Sequence, residues 1–102
     1  MISNVLVTGG SRGIGRAVCV RLASEGRHII INYVSNEAAA REALSLVEAA
    51  GGTGELLRFD VGDISETSAA LKSWQEAHPD EYIDVLANNA GIRRDHLLLW
   101  MA

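Results

Sequence analysis

The stretch Thr8-Gly9-Gly10-Ser11-Arg12-Gly13-Ile14-Gly15 has the residue types of an anion cradle. Glycines let the backbone turn tightly and come close to a phosphate. A helix that opens at such a loop adds unpaired N–H groups and a partial positive charge. The spacing is G-x-x-x-G-x-G, distinct from G-x-G-x-x-G, and no Gly-Lys-Ser/Thr follows, so it is not a Walker loop. It follows a β-branched apolar run and precedes helical periodicity, the context that a dinucleotide-binding loop requires. The choice of dinucleotide is also readable. A site for NAD usually carries an acidic residue about 20 residues past the loop, where it holds the ribose 2′-hydroxyl. Here that region is Asn32-Tyr33-Val34-Ser35-Asn36, with no carboxylate before Glu37. Arg12 adds a permanent cation inside the loop. The missing carboxylate and the added guanidinium both point to a 2′-phosphate, hence NADP(H).

Two other polar stretches sit where strands should end: Asp60-Val61-Gly62-Asp63 and Asn88-Asn89-Ala90-Gly91-Ile92. Ligands of open parallel sheets bind outside the carboxyl ends of the strands, so these stretches are candidate cofactor contacts. Asp63 reads instead as a helix cap, in a capping box with Glu66. His28, His78 and His96 have no metal-ligand spacing, and no metal site is expected. Cys19 reads as a packing residue, Trp74 and Trp100 as core or contact residues, and Glu37, Glu42 and Glu48 as a solvated helix face.

The elements that must position these residues alternate strictly. Strands are expected at 5–7, 28–32, 55–61 and 82–87. A helix from about Gly13 to Glu25 carries Ile14, Ala17, Val18 and Leu22 at helical spacing. A second, over 37–50, has the stripe Ala40, Ala43, Leu44, Val47 and Ala50, with Ser35 or Asn36 as its cap. A third opens at Asp63, presents Ile64, Leu71 and Trp74, and closes at His78-Pro79. A last apolar segment begins near His96. This β-α-β-α-β-α-β order predicts an α/β fold of the Rossmann type, a doubly wound parallel sheet whose first four strands run 3-2-1-4.

Composition narrows the function classes. The 102 residues are 48% hydrophobic and 22% charged, which is globular and fits one small domain. Nine Lys and Arg against 13 Asp and Glu give a net charge of −4, a poor basis for binding nucleic acid or an anionic membrane. One cysteine cannot form an internal disulfide; with no secretory signal and no membrane-length apolar run, the expected location is cytoplasmic.

Taken in order, Thr8-Gly9-x-x-x-Gly13-x-Gly15, Asp60-Val61-x-Asp63 and Asn88-Asn89-Ala90-Gly91 resemble the short-chain dehydrogenase/reductase family. Within it, the sequence is most similar to the 3-oxoacyl-[acyl-carrier-protein] reductases, on the strength of residues 8–17 and of Arg94-Asp95-x-Leu97-Leu98 after Asn-Asn-Ala-Gly-Ile. The resemblance implies that Gly9, Gly10, Ser11 and Arg12 wrap the pyrophosphate and the adenosine ribose. Gly13, Ile14 and Gly15 would present backbone to the pyrophosphate, and Ser35 would lie near the 2′-phosphate with Arg12. Asp60 would accept from the adenine amino group, with Val61 beside the ring. Asn89, Ala90 and Gly91 would contact the ribose on the nicotinamide side, while Asn88 would tie strands together. Ala87 departs from the larger aliphatic usual before Asn-Asn, which should loosen local packing. The resemblance further implies NADPH-dependent reduction of a thioester linked to acyl carrier protein, in fatty-acid-type biosynthesis, by a homo-oligomer (dimer or tetramer).

The family's Tyr-x-x-x-Lys pair is not in these residues: Tyr33 and Tyr82 are followed four positions on by Glu37 and Leu86, and Lys72 has no such tyrosine. Residues 1–102 are therefore expected to be the N-terminal part of one dinucleotide-binding domain, with its catalytic residues downstream and no activity alone. The alternatives are a short-chain reductase of a sugar or small alcohol or ketone, and a non-catalytic nucleotide-binding fragment.

Overall fold

The computed structural model describes residues 3–89. The elements are β1 (Asn4–Thr8), α1 (Gly13–Ala23), β2 (His28–Tyr33), α2 (Glu37–Ala49), β3 (Thr53–Arg58), α3 (Ile64–Ala77) and β4 (Val85–Asn88). All strand pairs are parallel, in the order β3-β2-β1-β4, as the alternating pattern predicts. The segment expected after His96 lies outside the described residues, as do Ala90 and Gly91.

The central strands β1 and β2 are apolar on both faces, which is why they read as continuous runs. Side chains alternate across the sheet. Val5, Val7, Ile29 and Ile31 pack on one face with Cys19 and Ala23 of α1 and Ala43 and Val47 of α2. Leu6 and Ile30 pack on the other with Phe59 and Trp74 of α3. Two helices on one face and one on the other make the sheet doubly wound.

The structure corrects several element details. The buried positions of α1 are Gly15, Cys19 and Ala23, with Val18 and Leu22 packed beside them. Ile14 is 73% exposed, so the expected stripe is rotated by about one residue. Ile64 is 76% exposed; as the first residue of α3 it precedes the turns that reach the sheet, where Thr67 and Trp74 are buried.

β3 begins at Thr53, which pairs with His28, and ends at Arg58 instead of Val61. There the chain turns, and Asp60 Oδ1 accepts the Gly62 N–H at 2.9 Å. β4 begins at Val85 instead of Tyr82, because the preceding residues are held by side chains. Asp84 Oδ1 accepts the Asn4 N–H at 2.8 Å, and Asn4 Nδ2 donates to the Tyr82 carbonyl at 3.1 Å. Asn88 belongs to β4 and pairs in register with Thr8. Ala87 is partly buried against the α1–α2 side of the core.

Of the two caps considered for α2, Asn36 serves: its Oδ1 accepts the Ala39 N–H at 2.9 Å. Asp63 caps α3 as expected, accepting the Glu66 N–H at 3.0 Å. The return half of the expected box is diverted, since Glu66 Oε1 accepts the Asp60 N–H at 2.9 Å and pairs with Arg58 at 3.0 Å. No helix among the described residues is long and apolar enough to cross a membrane.

Candidate functional site

A cleft of about 490 Å³ lies at the carboxyl ends of β1, β2 and β4. It is lined by Gly9, Ser11, Arg12, Gly13, Ile14, Asn32, Tyr33, Val34, Ser35, Asn36, Val61 and Asn89. Arg12 is the one charged residue of that lining. It is exposed, and its guanidinium has no hydrogen bond or ion pair among the described residues. It is also the N-cap position of α1, and its side chain caps nothing. The N-termini of α2 and α3 are closed by Asn36 and Asp63, whereas that of α1 keeps its orphan N–H groups beside the cleft.

The glycines have separate reasons. Gly13 has φ +58°, a left-handed conformation that a side chain would strain, and nothing stands within 4 Å of a Cβ there. A Cβ on Gly15 would lie 2.2 Å from the Gly9 carbonyl oxygen and 2.6 Å from Asn89 Nδ2, so α1 can start against the loop only with glycine here. Gly10 is buried beneath the loop and does not line the cleft. A Cβ on it would lie 2.9 Å from Cys19 Sγ, and its N–H donates to the Asn32 carbonyl at 3.0 Å. Burial pushes the Cys19 thiol up to about 12.

The loop is held from three sides. Asn32 Oδ1 accepts the Gly9 N–H at 3.0 Å. Asn89 Nδ2 donates to the Gly9 carbonyl at 3.1 Å, and the Asn89 N–H donates to Thr8 Oγ1 at 3.0 Å. Arg16 Nε donates to the Ser11 carbonyl at 2.8 Å while its guanidinium pairs with Glu42 at 2.6 Å and donates to the Ala39 carbonyl at 3.1 Å. The side chain that ties β4 to the loop is thus Asn89. The buried amide of Asn88 has no hydrogen-bond partner among the described residues.

Ser35 and Val61 line the cleft as expected. Asp60 is exposed, is not part of the lining, and has its Oδ1 occupied by the Gly62 N–H. Asn32 and Arg16 are additions to the residues singled out from sequence. A polar residue ending an apolar strand was the available signal for Asn32; Arg16 gave none beyond its place next to the loop.

Residues 3–100 match the family model for short chain dehydrogenase. The chain belongs to the short-chain dehydrogenase family. Among curated proteins, it is 38% identical over 101 residues to the 3-oxoacyl-[acyl-carrier-protein] reductase FabG of Staphylococcus aureus strain Mu50, covering 99% of this chain and 40% of that protein. It is 44% identical over 87 residues to the uncharacterized oxidoreductase YgfF of Escherichia coli strain K12, covering 85% of this chain and 34% of that protein. A solved structure of the promiscuous reductase LugOII, which catalyses keto-reduction at C1 during lugdunomycin biosynthesis, is 41% identical with a TM-score of 0.73, covering 92% of this chain and 39% of that one. The chain therefore spans about 40% of the length of such short-chain dehydrogenase relatives.

The loop side of the cleft has the chemistry of a pyrophosphate cradle, the group that a nicotinamide dinucleotide would place there. The close approach of Gly15 to Gly9 leaves the loop backbone bare of side chains, and α1 brings unpaired N–H groups to it. Far from this site, at the opposite end of the sheet, His28, Glu55 and Trp74 form a separate cluster. The His28 Nε2–H donates to Glu55 Oε2 at 2.8 Å, and the Trp74 indole N–H donates to the same oxygen at 3.1 Å. The His28 hydrogen bond foremost, joined by that from Trp74, holds the Glu55 carboxyl below the usual range.

Proposed function

We infer that this chain is the cofactor-binding part of a longer, NADPH-dependent reductase that converts a 3-oxoacyl thioester on acyl carrier protein to its 3-hydroxyacyl form. The observation that carries the cofactor is the cleft lining: Arg12 is its one charged residue, and the end of β2 contributes only Asn32, Tyr33, Val34, Ser35 and Asn36. A carboxylate there would repel a 2′-phosphate; a free guanidinium attracts one. The substrate reading is supported by similarity to the Staphylococcus aureus reductase across 99% of the chain.

In this reading Arg12 and Ser35 meet the 2′-phosphate, and the backbone of residues 13–15 meets the pyrophosphate. Val61 packs against adenine and Asp60 accepts its amino group through the carboxylate oxygen not used by Gly62. Asn89, with Ala90 and Gly91, meets the ribose on the nicotinamide side. The bound nicotinamide supplies the hydride. In the family that the sequence resembles, the proton for the carbonyl oxygen comes from the tyrosine of a Tyr-x-x-x-Lys pair, which these 102 residues do not contain. The full-length protein works as a cytoplasmic homo-oligomer.

A second reading keeps the cofactor and changes the substrate to a sugar or small ketone, and the likeness to a promiscuous keto-reductase favours it. NADPH absorbance in the full-length protein separates the two. Faster turnover of an acetoacetyl thioester than of sugars or small ketones supports the acyl substrate, and the reverse order supports the second reading. Absence of turnover with all of them overturns both.

A further inference from the structure

Asn32 is a polar residue in a place that burial reserves for apolar ones. It follows Ile29, Ile30 and Ile31, all fully buried, and is itself 1% exposed. Its amide is fully engaged. Oδ1 accepts the Gly9 N–H at 3.0 Å, and Nδ2 donates to the Phe59 carbonyl at 2.9 Å and approaches the Leu57 carbonyl at 3.3 Å. Its own carbonyl accepts the Gly10 N–H at 3.0 Å. One residue thus joins three segments at the ligand-binding edge of the sheet: the loop after β1, the end of β2 and the turn after β3. Two successive loop N–H groups are committed to it, which leaves those at the start of α1 as the free donors.

A leucine has the same branched outline with no polar group to desolvate. What the amide adds is a fixed link between the Gly9 backbone and the Phe59 backbone, two residues before Val61. We propose that Asn32 is a positioning residue for the dinucleotide. It sets the separation between the pyrophosphate cradle at residues 9–15 and the adenine wall at Val61. The inference rests on the dinucleotide reading given above and extends it to a residue that touches the loop instead of the charge on the ligand. Arg12 acts on the 2′-phosphate and so separates NADPH from NADH. Asn32 acts on the half that the two nucleotides share, so its loss weakens both by the same factor.

The test uses the full-length protein and the variants Asn32→Ala and Asn32→Asp, the second keeping the acceptor for Gly9 while removing the donor to Phe59. Dissociation constants for NADPH and NADH come from nucleotide fluorescence, alongside thermal unfolding of each variant. The expected result for Asn32→Ala is a loss of about tenfold for each nucleotide, with their ratio unchanged. Asn32→Asp should also weaken both, NADPH more than NADH, because it brings a carboxylate to the end of β2. The KM for nucleotide should rise by a larger factor than kcat falls.

A purely structural role would lower the unfolding temperature and leave both dissociation constants unchanged, and that result overturns the proposal. If neither variant folds, amide exchange in the nucleotide-free wild type decides. Slow exchange at Gly9 and Gly10 supports a loop preset by Asn32, and fast exchange overturns it. A wild type that binds neither nucleotide overturns the dinucleotide reading itself. A wild type that binds both, with Asn32→Ala binding equally well, overturns the role of Asn32 alone.

Discussion

Gly15 sets the tightest constraint in the loop, because the start of α1, the Gly9 carbonyl and the Asn89 amide all converge on its missing side chain. Gly15→Ala places a methyl group 2.2 Å from the Gly9 oxygen, against backbone that cannot swing away. The expected cost is about 1–3 kcal/mol of stability from overpacking, with binding of NADPH and NADH weakened together. Thermal unfolding and nucleotide titration measure the two effects; unchanged binding would show that the loop tolerates displacement. Cys19 makes the opposite prediction, of inertness. It is fully buried and its thiol is pushed up to about 12, so in the folded protein it should resist alkylation at pH 8 and react only on unfolding. Rapid labelling of the native protein would contradict the packing. At this scale the place of Arg12 in the cleft lining was legible, because a cation inside a glycine loop after a strand needs no distant partner to be noticed. Asn32 was not, because its meaning depends on Gly9 and Phe59, far from it in sequence.

The strands and helices were legible wherever apolar periodicity defines them, as in α2, whose inward stripe of Ala40, Ala43 and Val47 is buried as expected. Boundaries set by side-chain hydrogen bonds were not. The end of β3 depends on the turn at Asp60, and the start of β4 on Asp84 and Asn4, contacts that leave no periodic trace. The Glu55 cluster belongs to this scale, since it joins β2, β3 and α3. Its carboxyl lies below the ordinary value of 4.5 when folded, so the stabilisation is present above pH 4.5 and is lost as pH falls through the folded value. Glu55→Gln removes that titration. Its unfolding temperature should therefore decline less steeply than that of the wild type on acidification below pH 4.5. Parallel acid limbs for the two proteins would assign the decline to other groups.

For the molecule as a whole, the order β3-β2-β1-β4 places the reversal of strand order between β1 and β4, and the cleft opens at that end of the sheet. Three strands of the described sheet lead to that edge: β1 ends at the glycine loop, β2 at a stretch without carboxylates, and β4 at Asn88, just before Asn89. The topology was legible because strict alternation of strand and helix admits few arrangements. The reaction was less so, because the Tyr-x-x-x-Lys pair that the family resemblance calls for does not occur in these 102 residues.

If this edge cradles a dinucleotide carrying a 2′-phosphate, equilibrium titration of the full-length protein with NADPH and with NADH will reveal it. NADPH is expected to bind at least about tenfold more tightly, and Arg12→Ala to remove about 1.5–3 kcal/mol from NADPH binding while leaving NADH nearly unchanged. Equal affinities in the wild type, or equal losses for the two nucleotides in Arg12→Ala, would contradict it.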